Sequence, residues 1–218
     1  MKVYIVSKYK SPVYERMFTS RGHEIVDNIN DADALQFTGG EDVDPSLYKC
    51  QRHDKTFFNV ERDAYDTFFY NHGLDGGKLL LGICRGAQFL NVKNGGKMYQ
   101  HVDNHTSNHR VLDLFADELI MCTSTHHQMM IPDEKKCVTR GVVLNTLCET
   151  RQFVDCEGFI MEGSIKEMDY EVIMYPETKS LCFQPHPEFP TAPKECTDWY
   201  FRLVDEMLQN KFRLQDII

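Results

Sequence analysis

Apolar and polar positions follow two rhythms along this chain. Lys2 to Ser7 is a short β-branched run that predicts a strand. Val13 to Arg21 follows at helical spacing, with Val13, Met17 and Phe18 on one side and Gly22 as the stop. Leu35 to Thr38 predicts a second strand, ending in Gly39-Gly40. Asn59 to His72 predicts a helix, with Asn59 as N-cap and Ala64, Tyr65, Phe68 and Phe69 on one side. Lys78 to Cys84 is an almost unbroken apolar run, the pattern of a strand buried on both faces of a parallel sheet. A helix over Arg85 to about Asn94, closed by Gly95-Gly96, comes next.

The second half is composed of shorter strand-like pieces: Arg110 to Leu114, Glu118 to Cys122, Val138 to Asn145 and Gln152 to Met161. Tyr170 to Tyr175 and Ser180 to Gln184 predict the final strands. Lys194 to Asn210 is a closing amphipathic helix with Trp199, Tyr200, Leu203, Val204, Met207 and Leu208 on its apolar side. The β–α–β–α rhythm predicts an α/β fold, a mostly parallel central sheet flanked by helices. No repeat, linker or composition shift divides the chain, so residues 1–218 are expected to form one domain.

Composition narrows the partners. Asp and Glu number 33 against 24 Lys and Arg, a formal charge of −9 with no basic cluster, which argues against nucleic acid and anionic membrane surfaces as partners. No segment reaches the roughly 18 apolar residues of a membrane span. The N-terminal apolar run is too short for a signal-peptide core, and the expected location is cytoplasmic. The eight cysteines lack C-x-x-C spacing, so reduced thiols are expected rather than disulfides or structural zinc.

The strongest chemical signal is Gly82-Ile83-Cys84-Arg85-Gly86, at the handover from buried strand to helix. A nucleophile there needs a tight turn that lifts its side chain above the sheet, and glycines two residues away on each side remove the Cβ atoms that would collide. The positive end of the helix dipole favours negative charge at that place, and the unpaired N–H of Arg85 can face an oxyanion. Gln184-Pro185-His186-Pro187-Glu188 supplies the complement. Its prolines make it a strand-end loop, and in an extended segment His186 and Glu188 project to the same side, as base and orienter. Thr38-Gly39-Gly40, directly after a strand, allows backbone amides to approach a bound group.

Other residues carry less. His101, His105 and His109 recur every four residues as metal ligands on a helix might, but the intervening stretch is polar and helix-poor and predicts a solvated loop near the site. His126-His127 could also bind metal; a non-metal role is the expectation. No metal and no cofactor is expected. Met129-Met130 and Phe68-Phe69 are expected in the core.

A cysteine elbow followed much later by H-P-E resembles the class I glutamine amidotransferase superfamily, closest to its gamma-glutamyl hydrolase branch, of gamma-glutamyl-GABA hydrolase type. The resembling stretches are GGEDVDPSLY (39–48), ERDAYD (61–66), LGICRGAQFLNV (81–92), GGKMYQ (95–100), STHHQ (124–128) and QPHPEF (184–189). The resemblance implies a class I glutamine amidotransferase-like (flavodoxin-like) fold with a nucleophile elbow. It implies a Cys84–His186–Glu188 triad, oxyanion amides from Gly40 and Arg85, and a glutamyl pocket lined by Gln88, Ser124 and His127. It further implies a hydrolase of small γ-glutamyl amides. The alternatives are a glutaminase that takes glutamine and passes ammonia to a separate synthase partner, and a catalytically silent binding module on the same fold.

Overall fold

The computed structural model describes residues 1–143, 146–164 and 168–209. Its first half contains β1 (Lys2–Val6), α1 (Pro12–Thr19), β2 (Glu24–Ile25), β3 (Ala34–Phe37), α2 (Val60–Asp75), β4 (Leu79–Ile83) and α3 (Arg85–Lys93). Short strands follow: β5 (Lys97–Tyr99), β6 (His101–Val102), β7 (His109–Asp113), β8 (Glu118–Cys122), β9 (Met129–Ile131) and β10 (Val138–Val143). The chain continues through β11 (Arg151–Val154), β12 (Ile160–Glu162), β13 (Asp169–Tyr175), β14 (Ser180–Phe183) and α4 (Lys194–Leu208).

One nine-stranded sheet organises the molecule, in the order β2-β1-β3-β4-β14-β13-β10-β7-β8. From β2 to β14 neighbouring strands run parallel, and from β14 to β8 they run antiparallel. The parallel part is the α/β crossover sheet that the first half of the sequence predicts. The antiparallel part is the extension formed by the shorter strands.

The run Leu79–Ile83 is buried at every position, as a strand covered on both faces must be. Leu79, Leu81 and Ile83 face a cluster built with Tyr14, Phe18, Trp199 and Tyr200 from α1 and α4. Leu80 faces the opposite cluster, with Phe69, Phe89 and Leu90 from α2 and α3. Each such leucine contributes roughly 1.5–3 kcal/mol by burial. The sheet is thereby clamped between two helical layers, and the C-terminal ends of β3, β4 and β14 stand side by side where the chemistry-bearing loops begin.

Several expectations need correction. The stretch 152–161 is two antiparallel strands, β11 and β12, since the Asp155 carboxylate accepts the N–H groups of Glu157 and Phe159 and Gly158 takes φ +95 to close a turn. Strands β5, β6 and β9 are only two or three residues long, too short to show a period. The expected solvated loop is exposed at Asn104 and over 106–108, but Val102 and His105 within it, and His109 after it, are buried. The polar composition hides the two histidines, which meet buried carboxylates. Phe69 is buried but Phe68 lies on the surface. Residues 144–145 of the predicted strand and Asn210 at the predicted helix end lie outside the described residues. The eight cysteines are free thiols, and Asn59 caps α2, its side-chain oxygen accepting from Glu61 and Arg62 N–H. Among the described residues, no helix is long and apolar enough to cross a membrane.

Candidate active site

Cys84 sits between β4 and α3 with φ +51 and ψ −113, a conformation that L residues avoid. Two backbone hydrogen bonds hold it there, from its own N–H to Phe183 O (2.9 Å) and from Gln88 N–H to its carbonyl (3.0 Å). The flanking glycines are required sterically. A Cβ at Gly82 would stand 2.5 Å from Gly86 O, and one at Gly86 would stand 2.3 Å from Phe37 O. Helix α3 can start directly above the sheet only because both positions lack a side chain. Arg85 is the first helical residue, where the backbone N–H has no intrahelical acceptor.

The loop after β14 brings His186 to the same place. A Cβ built on Gly39 would lie 3.5 Å from His186 Cε1, 3.5 Å from Tyr14 Oη and 3.8 Å from Cys84 Cβ. His186 Nδ1 is 2.7 Å from Glu188 Oε1, while its Nε2 is buried with no hydrogen-bond partner. Phe189 stacks on the imidazole with centroids 4.3 Å apart. Thr123 grips the backbone, its hydroxyl donating to His186 O (3.1 Å). Burial opposes a charge on His186, but its interactions with Cys84 and Glu188 outweigh this and raise its pKa to about 10. A sulfur at a helix N-terminus, beside an imidazole whose far nitrogen is fixed by a carboxylate, can attack an electrophilic carbon and exchange a proton with the ring.

The Gly39-Gly40 turn closes the third side. Gly39 N–H donates to Tyr14 Oη (2.9 Å), and Gly40 has φ +148. Burial, reinforced by the nearby charge of Glu188, raises the Tyr14 pKa well above its ordinary value, so the phenol stays neutral. Arg62 pins the turn from α2, donating to Thr38 Oγ1 (2.9 Å), and its Nε meets Asp66 Oδ1 at 3.0 Å. Asp66 and Asp63 in turn pair with the buried Arg85 guanidinium, which also lies over the Phe89 ring. The Arg85 side chain therefore points into α2, away from the Cys84 thiol.

The remaining predicted residues are nearby but differently engaged. Gln88, one turn beyond Cys84, donates from Nε2 to Gln184 Oε1 (3.3 Å) and Gln128 O (3.4 Å). The buried Ser124 hydroxyl donates to the carbonyl of His105. His127 is partly exposed, with Nε2 3.2 Å from Asp42 Oδ1, and that hydrogen bond raises its pKa. Sequence reasoning missed Tyr14, Arg62, Asp63 and Asp66 as supports of the site. The i, i+4 spacing of Arg62 and Asp66 within 61–66 was the available signal; Tyr14 offered none, being one aromatic on an apolar helix face.

The family model for Peptidase C26 matches residues 16–152. Protein NtpR of Enterococcus hirae is 35% identical over 78 residues, 35% of this chain and 33% of that protein. A protein of Lactococcus lactis described as glutamine amidotransferase-like, YvdE, is 31% identical over 123 residues, 51% of each chain. The matched segments thus span about a third to a half of these relatives. A glutamine amidotransferase structure from Thermotoga maritima superposes with TM-score 0.59 at 12% identity, covering 98% of this chain and 86% of that one. The glutaminase domain of Trypanosoma brucei CTPS, solved with acivicin, gives 0.58 at 10% identity, with 98% and 96% covered. These two likenesses establish the α/β fold of glutamine amidotransferase structures.

Proposed function

The chain belongs to the Peptidase C26 family, and on that premise we propose that it is a cysteine-dependent hydrolase of small γ-glutamyl amides, working through a glutamyl thioester. The observation that carries this reading is the convergence of Cys84, at a left-handed elbow, with His186, whose Nδ1 is held 2.7 Å from Glu188 Oε1. A family of hydrolases and relatives described as glutamine amidotransferase-like support the same class of bond, a side-chain amide of a glutamyl group.

In this mechanism the proton shared by Cys84 and His186 rests on His186 Nε2, and the sulfur bonds to the γ-carbonyl carbon. The N–H groups of Gly40 and Arg85 receive the oxyanion. As the C–N bond breaks, His186 returns the proton to the departing amine. A water then gives a proton to His186 and its oxygen to the thioester carbon, and glutamate leaves as the thiol is restored. General acid–base help of this kind is worth about 10²- to 10⁴-fold, and one oxyanion donor about 10²- to 10³-fold. Gln88, the Ser124 backbone and His127 line the glutamyl side of the pocket.

A second reading, a glutaminase that feeds ammonia to a separate synthase, is favoured by the relatives described as glutamine amidotransferase-like. Purified protein incubated with glutamine and with a panel of γ-glutamyl amines separates the two. Glutamate release from the substituted amides supports the hydrolase. Release from glutamine alone, rising with an added synthase, supports the glutaminase. No release from any of them, and no covalent adduct on Cys84 with a glutamine-like electrophile, sinks both and leaves a silent binding module.

A further inference from the structure

Three buried imidazoles away from Cys84 share one orientation. His105 Nδ1 lies 3.0 Å from Asp103 O, His109 Nδ1 lies 3.1 Å from Ser107 O, and His126 Nδ1 lies 2.9 Å from Gln128 O. A carbonyl only accepts, so each Nδ1 carries the hydrogen and each neutral ring presents a bare lone pair at Nε2. All three Nε2 atoms converge on one carboxylate oxygen. Glu171 Oε1 is 3.5 Å from His105, 3.1 Å from His109 and 3.3 Å from His126. His105 and Glu171 are 0% exposed, His126 3% and His109 9%.

Lone pairs aimed at an anion repel, so the centre of this group calls for positive charge. Protons are one possible occupant. Asp169 Oδ2 also approaches His105 Nε2, at 3.4 Å, while that carboxylate pairs with Arg151, Thr146 Oγ1 and Leu147 N–H besides. The separations around Glu171 Oε1 favour a metal cation. Ligand atoms around a tetrahedral metal with bonds of about 2.0–2.1 Å stand about 3.3 Å apart. A direct imidazolium–carboxylate hydrogen bond is shorter, as the 2.7 Å contact of His186 with Glu188 shows in this same molecule. Moreover, His105 Nε2, His126 Nε2 and Glu171 Oε2 are buried without a hydrogen-bond partner.

We propose that His105, His109 and Glu171 bind one divalent transition-metal ion, with zinc the best match to this nitrogen and oxygen set, and that His126, its Nε2 3.3 Å from Glu171 Oε1, flanks them. The three backbone carbonyls act as the outer shell that fixes each ring's tautomer. With all three ligand groups buried, the ion's role is structural. It staples the 105–126 segment to β13. The adjoining bonds tie that segment to the active site: Ser124 Oγ to His105 O, Thr123 Oγ1 to His186 O, and Gln184 N–H to Glu171 O. The ion thus braces the His186 loop from behind. Cys148 Sγ is 3.6 Å from the other nitrogen of His105, Nδ1, and stands outside this set.

The test is to strip the purified full-length chain with a chelator, reload it with Zn²⁺ or Co²⁺, desalt it and measure retained metal. One equivalent of Zn²⁺ per chain is expected in the wild type and equally in Cys84→Ser and Cys148→Ser. At least tenfold weaker retention against a competing chelator is expected in His109→Ala and Glu171→Gln. Because those two variants can misfold, the Co²⁺ spectrum of the unmodified chain provides a second readout: visible bands of a tetrahedral ion without thiolate charge transfer. Failure of the wild type to retain stoichiometric metal, or a Co²⁺ signal that carries thiolate charge transfer and disappears with Cys84→Ser or Cys148→Ser, overturns the proposal. Neither result bears on glutamate release, so the two proposals fail separately.

Discussion

His186 and Glu188 are two residues apart in sequence and share one hydrogen bond, Nδ1 to Oε1 at 2.7 Å, in a loop that bends at Pro185 and turns at Pro187 and Glu188. In the proposed reaction the carboxylate orients the ring so that Nε2 serves Cys84, and it stabilises the imidazolium. Glu188→Gln keeps the shape and removes the charge. We expect kcat for glutamate release to fall about 10²- to 10⁴-fold with little change in KM and an unchanged circular dichroism spectrum. Activity within twofold of the wild type would remove Glu188 from the mechanism.

The raised pKa of His186 has a consequence for stability, and its sign is fixed. The ring is protonated up to about 10 in the folded chain but only to about 6.5 when unfolded. The stabilisation it contributes is complete below about 6.5 and is lost as pH rises through 10. Urea unfolding of the wild type and His186→Gln, run in parallel from about pH 6 to pH 10, cancels the titration of groups common to both. The stability gap between the two proteins should shrink steadily across that window. A gap that stays constant or widens with pH contradicts the assignment.

Three glycines around Cys84 should separate stability from activity. Alanine at Gly86 or Gly82 would press a methyl against backbone atoms at 2.3 and 2.5 Å, where nothing flexible can yield. Both variants should lose about 1–3 kcal/mol or more in denaturant unfolding. Gly39 is different. Its added Cβ would meet His186, Tyr14 and Cys84 at ordinary contact distances of 3.5–3.8 Å. Gly39→Ala should therefore fold within about 0.5 kcal/mol of the wild type while losing turnover, since the methyl projects among the reacting groups. Equal loss of stability in all three variants would mean that Gly39 is a packing glycine like the others.

How far the sequence alone reaches can be judged residue by residue. The elbow was legible because a strained turn forces its glycines to fixed positions, and His186 and Glu188 were legible as an H-P-E block at a strand end, although the loop turns at Pro187 and Glu188 instead of running extended. The buried run Leu79–Ile83 announced the parallel centre of the sheet for a similar reason, its burial on both faces. What stayed hidden depends on contacts distant in sequence. His105, His109 and Glu171 meet across 62 to 66 positions, and local polarity made the histidine segment look solvated. Tyr14 supports Gly39 from 25 residues away, and nothing in its own helix marks it. Pairings of two or three residues, as in β5 with β9, leave no period to detect.

The chain of charges running Arg62–Asp66–Arg85–Asp63 joins the turn that carries Gly40 to the first residue of the helix that carries Cys84. Asp66 is fully buried and serves both arginines, whereas Asp63 pairs with Arg85 alone and also accepts Asp44 N–H at 3.0 Å. Removing one partner of a buried ion pair leaves an uncompensated charge and costs about 3–5 kcal/mol. Asp66→Asn should approach that figure in denaturant unfolding. Asp63→Asn should cost less, because Arg85 keeps Asp66 and burial already raises the Asp63 pKa against the pull of Arg85. Both prospective oxyanion amides hang from this network, so Asp66→Asn should also lower kcat in the fraction that remains folded. If Asp63→Asn proves the more damaging of the two on both measures, Asp66 is not the hinge between the two loops, and Arg62 holds the Gly40 turn through Thr38 alone.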